Sequence, residues 1–522
     1  MPASKKYSFI LALALCCLKN ITIVNARDII STVESPSTNL IVALPPMDSA
    51  PVIFDIVKRK LSELDALQTS KINIEGKNSS KDETEPKIKK QIAPTEQLSS
   101  VGLASEFVSN PFSVQLFEAL RINEHYLEKT QNVSRIQDKA IKDFYEARAY
   151  QPLWTDKNGY NQQAKSVKAV LDNASENGLK ASSYKALDFN NNQVEAEISF
   201  TNAVVKYARD AGGARLNPRN ISKLITVEPT IAQPKDILLA LDTSSDAGKT
   251  LEEYNPQHGG YKALKTALVK EVDPQNQADI IANMERWRWV PRDLGSAYIL
   301  VNVPEYQLSM VRNGTEVHRA RIIVGKPETP SPVFSGNMDH VIVNPYWNIP
   351  PSIALKEMLP KLQKNPYAMQ AKGFEIVKRG RVVDPATIDW SGGVKNITIR
   401  QPPGERNALG FVKFMFPNDH AVYLHDTPSR GLFANSERAF SHGCIRVQNP
   451  FKLAEIILSV EHNLSEERLH SMAGGSERYF NMQTKLPVHL VYFTNFVDEY
   501  GQLETRPDIY GFNRRVKTAL GF

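Results

Sequence analysis

The sequence predicts an α+β multidomain protein, helical in its first half and β-rich in its second. Three observations carry that reading. Apolar residues recur at helical spacing between about Asn132 and Arg288. Beyond Pro291 the pattern changes to short runs rich in Val, Ile and Tyr. Two of those runs flank Asn313-Gly314, the dipeptide of a type I′ hairpin. A length of 522 residues suits about two to four domains and a sizeable core.

The first segment reads as a signal peptide over residues 1–26. Lys5-Lys6 form a basic start, Tyr7 to Leu18 an apolar run, and Val24 and Ala26 stand at the −3 and −1 positions of a cleavage site. The run is short for a membrane span; an uncleaved anchor is the alternative. Leu15 and Cys16 stand where a lipoprotein signal needs a small residue. Residues 27–130 form an N-terminal region with a candidate amphipathic helix over Pro51–Leu67. Its stretch 69–100 has no aromatic residue and reads as a disordered linker.

Residues 131–290 read as a helical domain. Ser134-x-x-Gln137 resembles a capping box, with Ile136, Ala140, Phe144 and Ala147 on one face. Val167, Val170, Leu171 and Ala174 define a second helix closed by Asn177-Gly178. Ile198, Val204, Val205 and Ala208 define a third, ending at Gly212-Gly213, and Tyr261–Leu268 a fourth. Residues 296–480 then read as a β domain, with strands at Ala297–Val303, Gln307–Arg312, Glu316–Val324, His340–Val343 and Ala421–Leu424. The last part, 481–522, adds strands that complete it, beginning at Val488–Phe493. Between the strands lies an insertion over about 351–404, opening with a helical Leu355–Leu362.

The formal charge of +6 is spread along the chain and gives no concentrated basic face for nucleic acid. Removing residues 1–26 lowers it by three, to +3, compatible with an anionic polymer as partner. It also removes Cys16 and Cys17, leaving Cys444 as the single cysteine. An unpaired thiol in an oxidising compartment is a liability, so chemistry is the economical reason to keep it.

Cys444 sits in the loop-like stretch Ala421–Pro450, which holds two of the ten histidines. His442 precedes it by two residues and His425 by nineteen. Asn449-Pro450 reads as N-cap and first residue of a helix through Leu458, which would set the thiol just before a helix start. A thiolate beside imidazole is the expected nucleophile, its pKa brought down from ~8.5 towards ~3.5–7.5. Zinc bound by His425, His442 and Cys444 lacks a fourth ligand at short spacing, and no cofactor or metal is expected.

The run His425-x15-Ser441-His442-Gly443-Cys444-Ile445-Arg446 resembles the signature of the L,D-transpeptidases, which cross-link bacterial peptidoglycan. The general resemblance runs from about residue 135 to 515. It implies a helical scaffold domain, a β-sandwich-like catalytic domain and a capping insertion over the active site, and it lacks the peptidoglycan-binding module that often interrupts the scaffold. It also implies Cys444 as nucleophile and His425 as base, with His442 in support. The Gly443 and Cys444 N–H groups would form the oxyanion hole. Arg446, Trp347, Ser441 and Tyr423 are the candidates to meet substrate; Ser441 also reads as a hydrogen-bonding loop residue, Arg446 could instead form a structural salt bridge, and Trp347 beside prolines could simply pack. The partners would be donor and acceptor stem peptides of the periplasmic cell wall, joined 3→3 through a Cys444 thioester. Water as acceptor would make an L,D-carboxypeptidase, and the same thioester could attach a protein to peptidoglycan. A papain-like protease would carry its cysteine early in the mature chain. A wall-binding scaffold with an inert thiol is the non-enzymatic alternative.

Overall fold

The structure, a computed structural model, describes residues 33–35, 38–40, 110–121, 135–187, 189 and 192–522. The signal peptide, the Pro51–Leu67 helix, the linker and Ser134 of the capping box lie outside the described residues. Residues up to Leu153 form one compact unit and Trp154–Phe522 another.

In the first unit, helices α1 (Pro111–Arg121) and α2 (Arg135–Ala147) pack together. The α1 helix lies in a region from which no element was expected. It buries Ser113, Leu116, Phe117 and Leu120, the i, i+3, i+4, i+7 face of an amphipathic helix, with Val114 at its edge.

The second unit begins with the helices of the predicted helical domain. Helix α3 (Gln162–Asp172) is capped by the Asn161 side chain, and Gly178 ends the following turn in the left-handed region. Helix α4 (Gln193–Arg209) buries nearly its whole surface and runs into a π-helical turn at Asp210–Ala214. Helix α5 (Gly259–Lys270) packs on α6 (Pro274–Trp287), and α6 ties this layer to the C-terminal part of the chain. Buried Asn283 donates to Thr494 at 3.1 Å and Asn495 at 3.0 Å, and Arg286 reaches Asn283 at 2.8 Å and Asn513 at 2.7 Å. Stripped of water, Arg286 has its pKa pushed down to about 10. Trp287 stacks on Phe493 at 4.4 Å.

The β-rich region carries strands β1 (Ala297–Asn302), β2 (Gln307–Arg312), β3 (Thr315–Gly325) and β4 (Phe334–Val343). The β2–β3 turn has Asn313 at φ 49° and Gly314 at φ 75°, as a type I′ turn requires. Four strands of the insertion follow: β5 (Trp347–Asn348), β6 (Glu375–Lys378), β7 (Arg381–Val383) and β8 (Ile397–Gln401). The main sheet then resumes with β9 (Val412–Met415), β10 (Leu424–His425), β11 (Ala439–Ser441), β12 (Ile445–Val447) and β13 (Arg478–Val491). Its order is β11-β3-β12-β10-β9-β4-β13-β1-β2, and β3 also pairs with β2, so the sheet closes on itself. One core fills it, including Ile299, Leu308, Ile322, Val341, Phe414, Leu424, Ile445 and Leu490.

Several expectations are corrected here. The strand expected over Ala421–Leu424 is formed only at Leu424–His425, because Ala421 adopts φ 52°. Helix α7 (Pro450–His462) does start on Pro450, but Asn449 is left-handed at φ 51° and its side chain caps nothing. The chain turns into the helix through backbone conformation instead. The insertion is more than loop: β7-β6-β8-β5 form a sheet over a separate core of Met358, Leu362, Ile376, Trp390 and Ile399. Its expected helix is split into a π-helical turn, Ala354–Met358, and a short α-helix, Leu359–Lys364. Among the described residues no helix is long and apolar enough to cross a membrane.

Candidate active site

Strand alternation builds the site. On β9, β10 and β12 the residues Val412, Phe414, Leu424, Ile445 and Val447 are buried in the core. Successive side chains of a strand point to opposite faces. Lys413, His425 and Arg446 therefore share the other face, with Tyr423 and Cys444 one step further along β10 and β12. Register makes this a row: Lys413 pairs with His425 across β9–β10, and His425 with Arg446 across β10–β12.

Cys444 is half-buried and unpaired. It precedes β12, and that strand together with Gln448 and Asn449 separates it from α7. The helix N-terminus is therefore not beside the thiol, which corrects the expectation that it helps hold a thiolate. Desolvation pushes the Cys444 pKa up, opposed by the Tyr423 backbone N–H, the Lys413 charge, the Tyr423 hydroxyl and the Arg446 charge. The expected low-pKa thiolate is thus corrected to a resting thiol. Sequence reasoning supplied the imidazole neighbour and omitted burial, which is the largest effect.

His425 is buried, and its Nδ1 bonds the Asp426 carbonyl oxygen at 2.5 Å. That bond places a proton on Nδ1 and leaves Nε2 with its lone pair, the form a base needs. Burial, followed by the Arg446 charge, pushes the His425 pKa down to about 3, against the opposing Asp426 bond. Asp426 is held in turn: its carboxylate accepts the Phe411 N–H at 2.9 Å and the Thr427 N–H at 2.7 Å. Gly410 is required there, since a Cβ would sit 2.3 Å from that carboxylate.

The nucleophile loop is fixed from beneath. Ser441 Oγ donates to the Cys444 carbonyl at 2.6 Å and accepts the Gly443 N–H at 3.1 Å. Ser331 donates to the Gly443 carbonyl at 2.7 Å, and Thr329 to the Ser441 carbonyl at 3.1 Å. Tyr510, near the C-terminus, donates to the Gly325 carbonyl and accepts the Ser331 N–H. Two assignments change as a result. Buried Ser441 braces the loop and is not positioned to meet substrate. The Gly443 N–H is already engaged, whereas the Cys444 N–H has no backbone acceptor among the described residues and is the one of this pair left free to donate.

Gly443 adopts φ 114°, where a side chain is strained by ~1–3 kcal/mol. Gly443→Ala is therefore expected to slow acylation of Cys444 by roughly 10- to 100-fold, a tenfold change corresponding to about 1.4 kcal/mol. Timed intact-mass measurements, with a melting curve as control, check this.

The remaining predicted residues divide. Tyr423 lies where it interacts with both Cys444 and Trp347, and burial followed by the Cys444 charge raises its pKa. Trp347 stands on β5 beside Phe374, 5.9 Å between rings, and so joins the insertion to the site. Arg446 is half-buried, and its Nε has no hydrogen-bond partner among the described residues. His442 turns away: it is exposed, and its Nε2 lies 3.1 Å from Glu357 on the π-helical turn of the insertion. Sequence reasoning missed Lys413, whose Nζ lies 4.0 Å over the Tyr423 ring. A lysine inside an apolar strand run was the available signal.

A family model of a scaffold domain matches residues 139–268, and one of the L,D-transpeptidase catalytic domain matches residues 296–471. A Haemophilus influenzae protein assigned as an L,D-transpeptidase is 30% identical over 389 residues, spanning 72% of this chain and 78% of that one. Among solved structures, L,D-transpeptidase 3 from Mycobacterium tuberculosis with a faropenem-derived adduct is 13% identical, with a TM-score of 0.20 over 38% of this chain and 60% of that chain. An L,D-transpeptidase from Mycobacterium smegmatis is 12% identical, with a TM-score of 0.18 over 37% and 58%. This chain thus spans less than two thirds of either solved chain. The match to the Haemophilus influenzae relative extends over most of both sequences, and the catalytic-domain model matches this chain, so the chain belongs to the L,D-transpeptidase family of cysteine-dependent acyltransferases.

Proposed function

We propose that the protein forms 3→3 cross-links between peptidoglycan stem peptides, with Cys444 as nucleophile and His425 as base. The observation that carries this is the buried His425, its tautomer set by the Asp426 carbonyl, on β10, which pairs with the strand that directly follows the only cysteine among the described residues. The donor is a tetrapeptide stem. Cys444 sulfur attacks the carbonyl of the third residue, while His425 Nε2 takes the thiol proton and returns it to the amine of the departing D-alanine. The Cys444 N–H faces the developing oxyanion. The side-chain amine of another stem then attacks the thioester, releasing the thiol.

The insertion supports amine capture over water. It is a folded body with its own core, joined to the site through Trp347 and through Glu357–His442, and a covered site keeps water from the thioester. His442 in this reading fastens cap to loop. The sequence features of residues 1–26 support export to the periplasm.

Incubating the purified protein with disaccharide-tetrapeptides and following mass tests the proposal. Cross-linked dimers with loss of one D-alanine per link are expected. Tripeptides alone would show an L,D-carboxypeptidase, and no change in stem mass would sink the donor assignment.

A further inference from the structure

The row Lys413–His425–Arg446 puts two cations on either side of the proposed base. Neither has the carboxylate that a partly buried cation normally keeps. Among the described residues no ion pair within 4.0 Å forms at Lys413 or at Arg446, and the buried Nε of Arg446 has no hydrogen-bond acceptor. The carboxylate influencing Lys413 is Glu477, which is occupied by the Tyr346 N–H at 2.8 Å and the Tyr479 hydroxyl at 3.2 Å. Both cations pay desolvation, which lowers the pKa of each, and the group shared by both is Cys444.

We infer that Lys413 and Arg446 form a clamp for the free α-carboxylate of the residue that departs on acylation, so that Lys413 is a specificity-determining residue of this site. The inference rests on the donor assignment above. In a stem that ends one residue past the cut, this carboxylate lies three bonds from the attacked carbon. Strands about 4.8 Å apart put both cations within side-chain reach of a group seated over His425. Arg446 offers a planar fork that matches a carboxylate, and Lys413 a compact charge. A stem extended by another residue, or one whose terminal carboxylate is amidated, presents no charge there. A seated carboxylate would also offset the two charges that oppose a proton on His425, linking recognition to proton transfer.

Alkylation of Cys444 in the full chain tests this without transpeptidation. Iodoacetate and iodoacetamide form the same S–C bond with loss of iodide, and only the first carries a carboxylate. The ratio of their rate constants, divided by the ratio for free cysteine, is expected to be about tenfold or more above one, because the cations attract the charged reagent. Lys413→Met and Arg446→Met should each lower that ratio towards one. On the unmodified protein, N-acetyl-D-alanine should protect Cys444 from iodoacetamide and its C-terminal amide should not. A ratio near one, or equal protection by acid and amide, overturns the clamp and leaves the nucleophile standing. A thiol that reacts with neither reagent overturns the donor assignment and the clamp with it.

Discussion

Cys444→Ala is expected to abolish acyl-enzyme formation with stem peptides or a carbapenem, a loss of roughly 10⁴-fold or more, as when a covalent nucleophile is removed. The reason is local. Cys444 is the only cysteine among the described residues, and its loop neighbours cannot substitute. Ser441 is buried with its hydroxyl bonded on both sides, and His442 is paired with Glu357. The change should leave the fold intact. The loop is held by Ser331, Thr329 and Ser441 through backbone atoms that alanine retains, and a half-buried sulfur is a small volume to lose. Intact mass after incubation gives the readout, and an unshifted melting transition gives the control. An adduct on the alanine variant would place the nucleophile elsewhere.

Much of this arrangement was legible in the sequence because strand and motif signals are local. The β-rich runs identified β1, β2 and, over Glu316–Val324, nearly all of β3, and Asn313-Gly314 gave the β2–β3 turn its type. The spacing of His425 and Cys444 marked the two residues that adjoining β10 and β12 bring onto one face. What escaped depends on pairing at long range. Nothing near Cys444 in the chain announces Tyr510, Ser331 and Thr329 beneath its loop, since those contacts need the closed sheet. Lys413 becomes part of the site only through its register with His425. The Cys444 pKa went in the wrong direction for the same reason: neighbours in sequence show charge but not desolvation. Gly443 was read correctly as a special backbone position, yet its N–H was given to substrate when Ser441 already holds it. The insertion looked like loop because its strands are two to five residues long, too short for period-two patterning to stand out.

His425→Ala should slow acylation by about 10²- to 10⁴-fold near neutral pH, the usual contribution of a positioned general base, and its pH profile should be diagnostic. With His425 titrating at about 3 and the Cys444 pKa raised, the resting pair at neutral pH is thiol and neutral imidazole. The base is then in its working form across the whole range between those values. Wild-type acylation should fall only as pH approaches 3, where His425 gains its proton, and should climb further when the thiol ionises. Without His425, reaction depends on the thiolate alone, so the rate should rise tenfold per pH unit through neutrality. The gap between the two proteins must therefore narrow as pH increases. Alanine also leaves the Asp426 carbonyl without its donor, a cost of ~1–3 kcal/mol, so melting is measured alongside. Parallel pH profiles for the two proteins would show that His425 is not the base. A wild-type acid limb near 6.5 would show instead an imidazole base with its ordinary pKa, unshifted by burial.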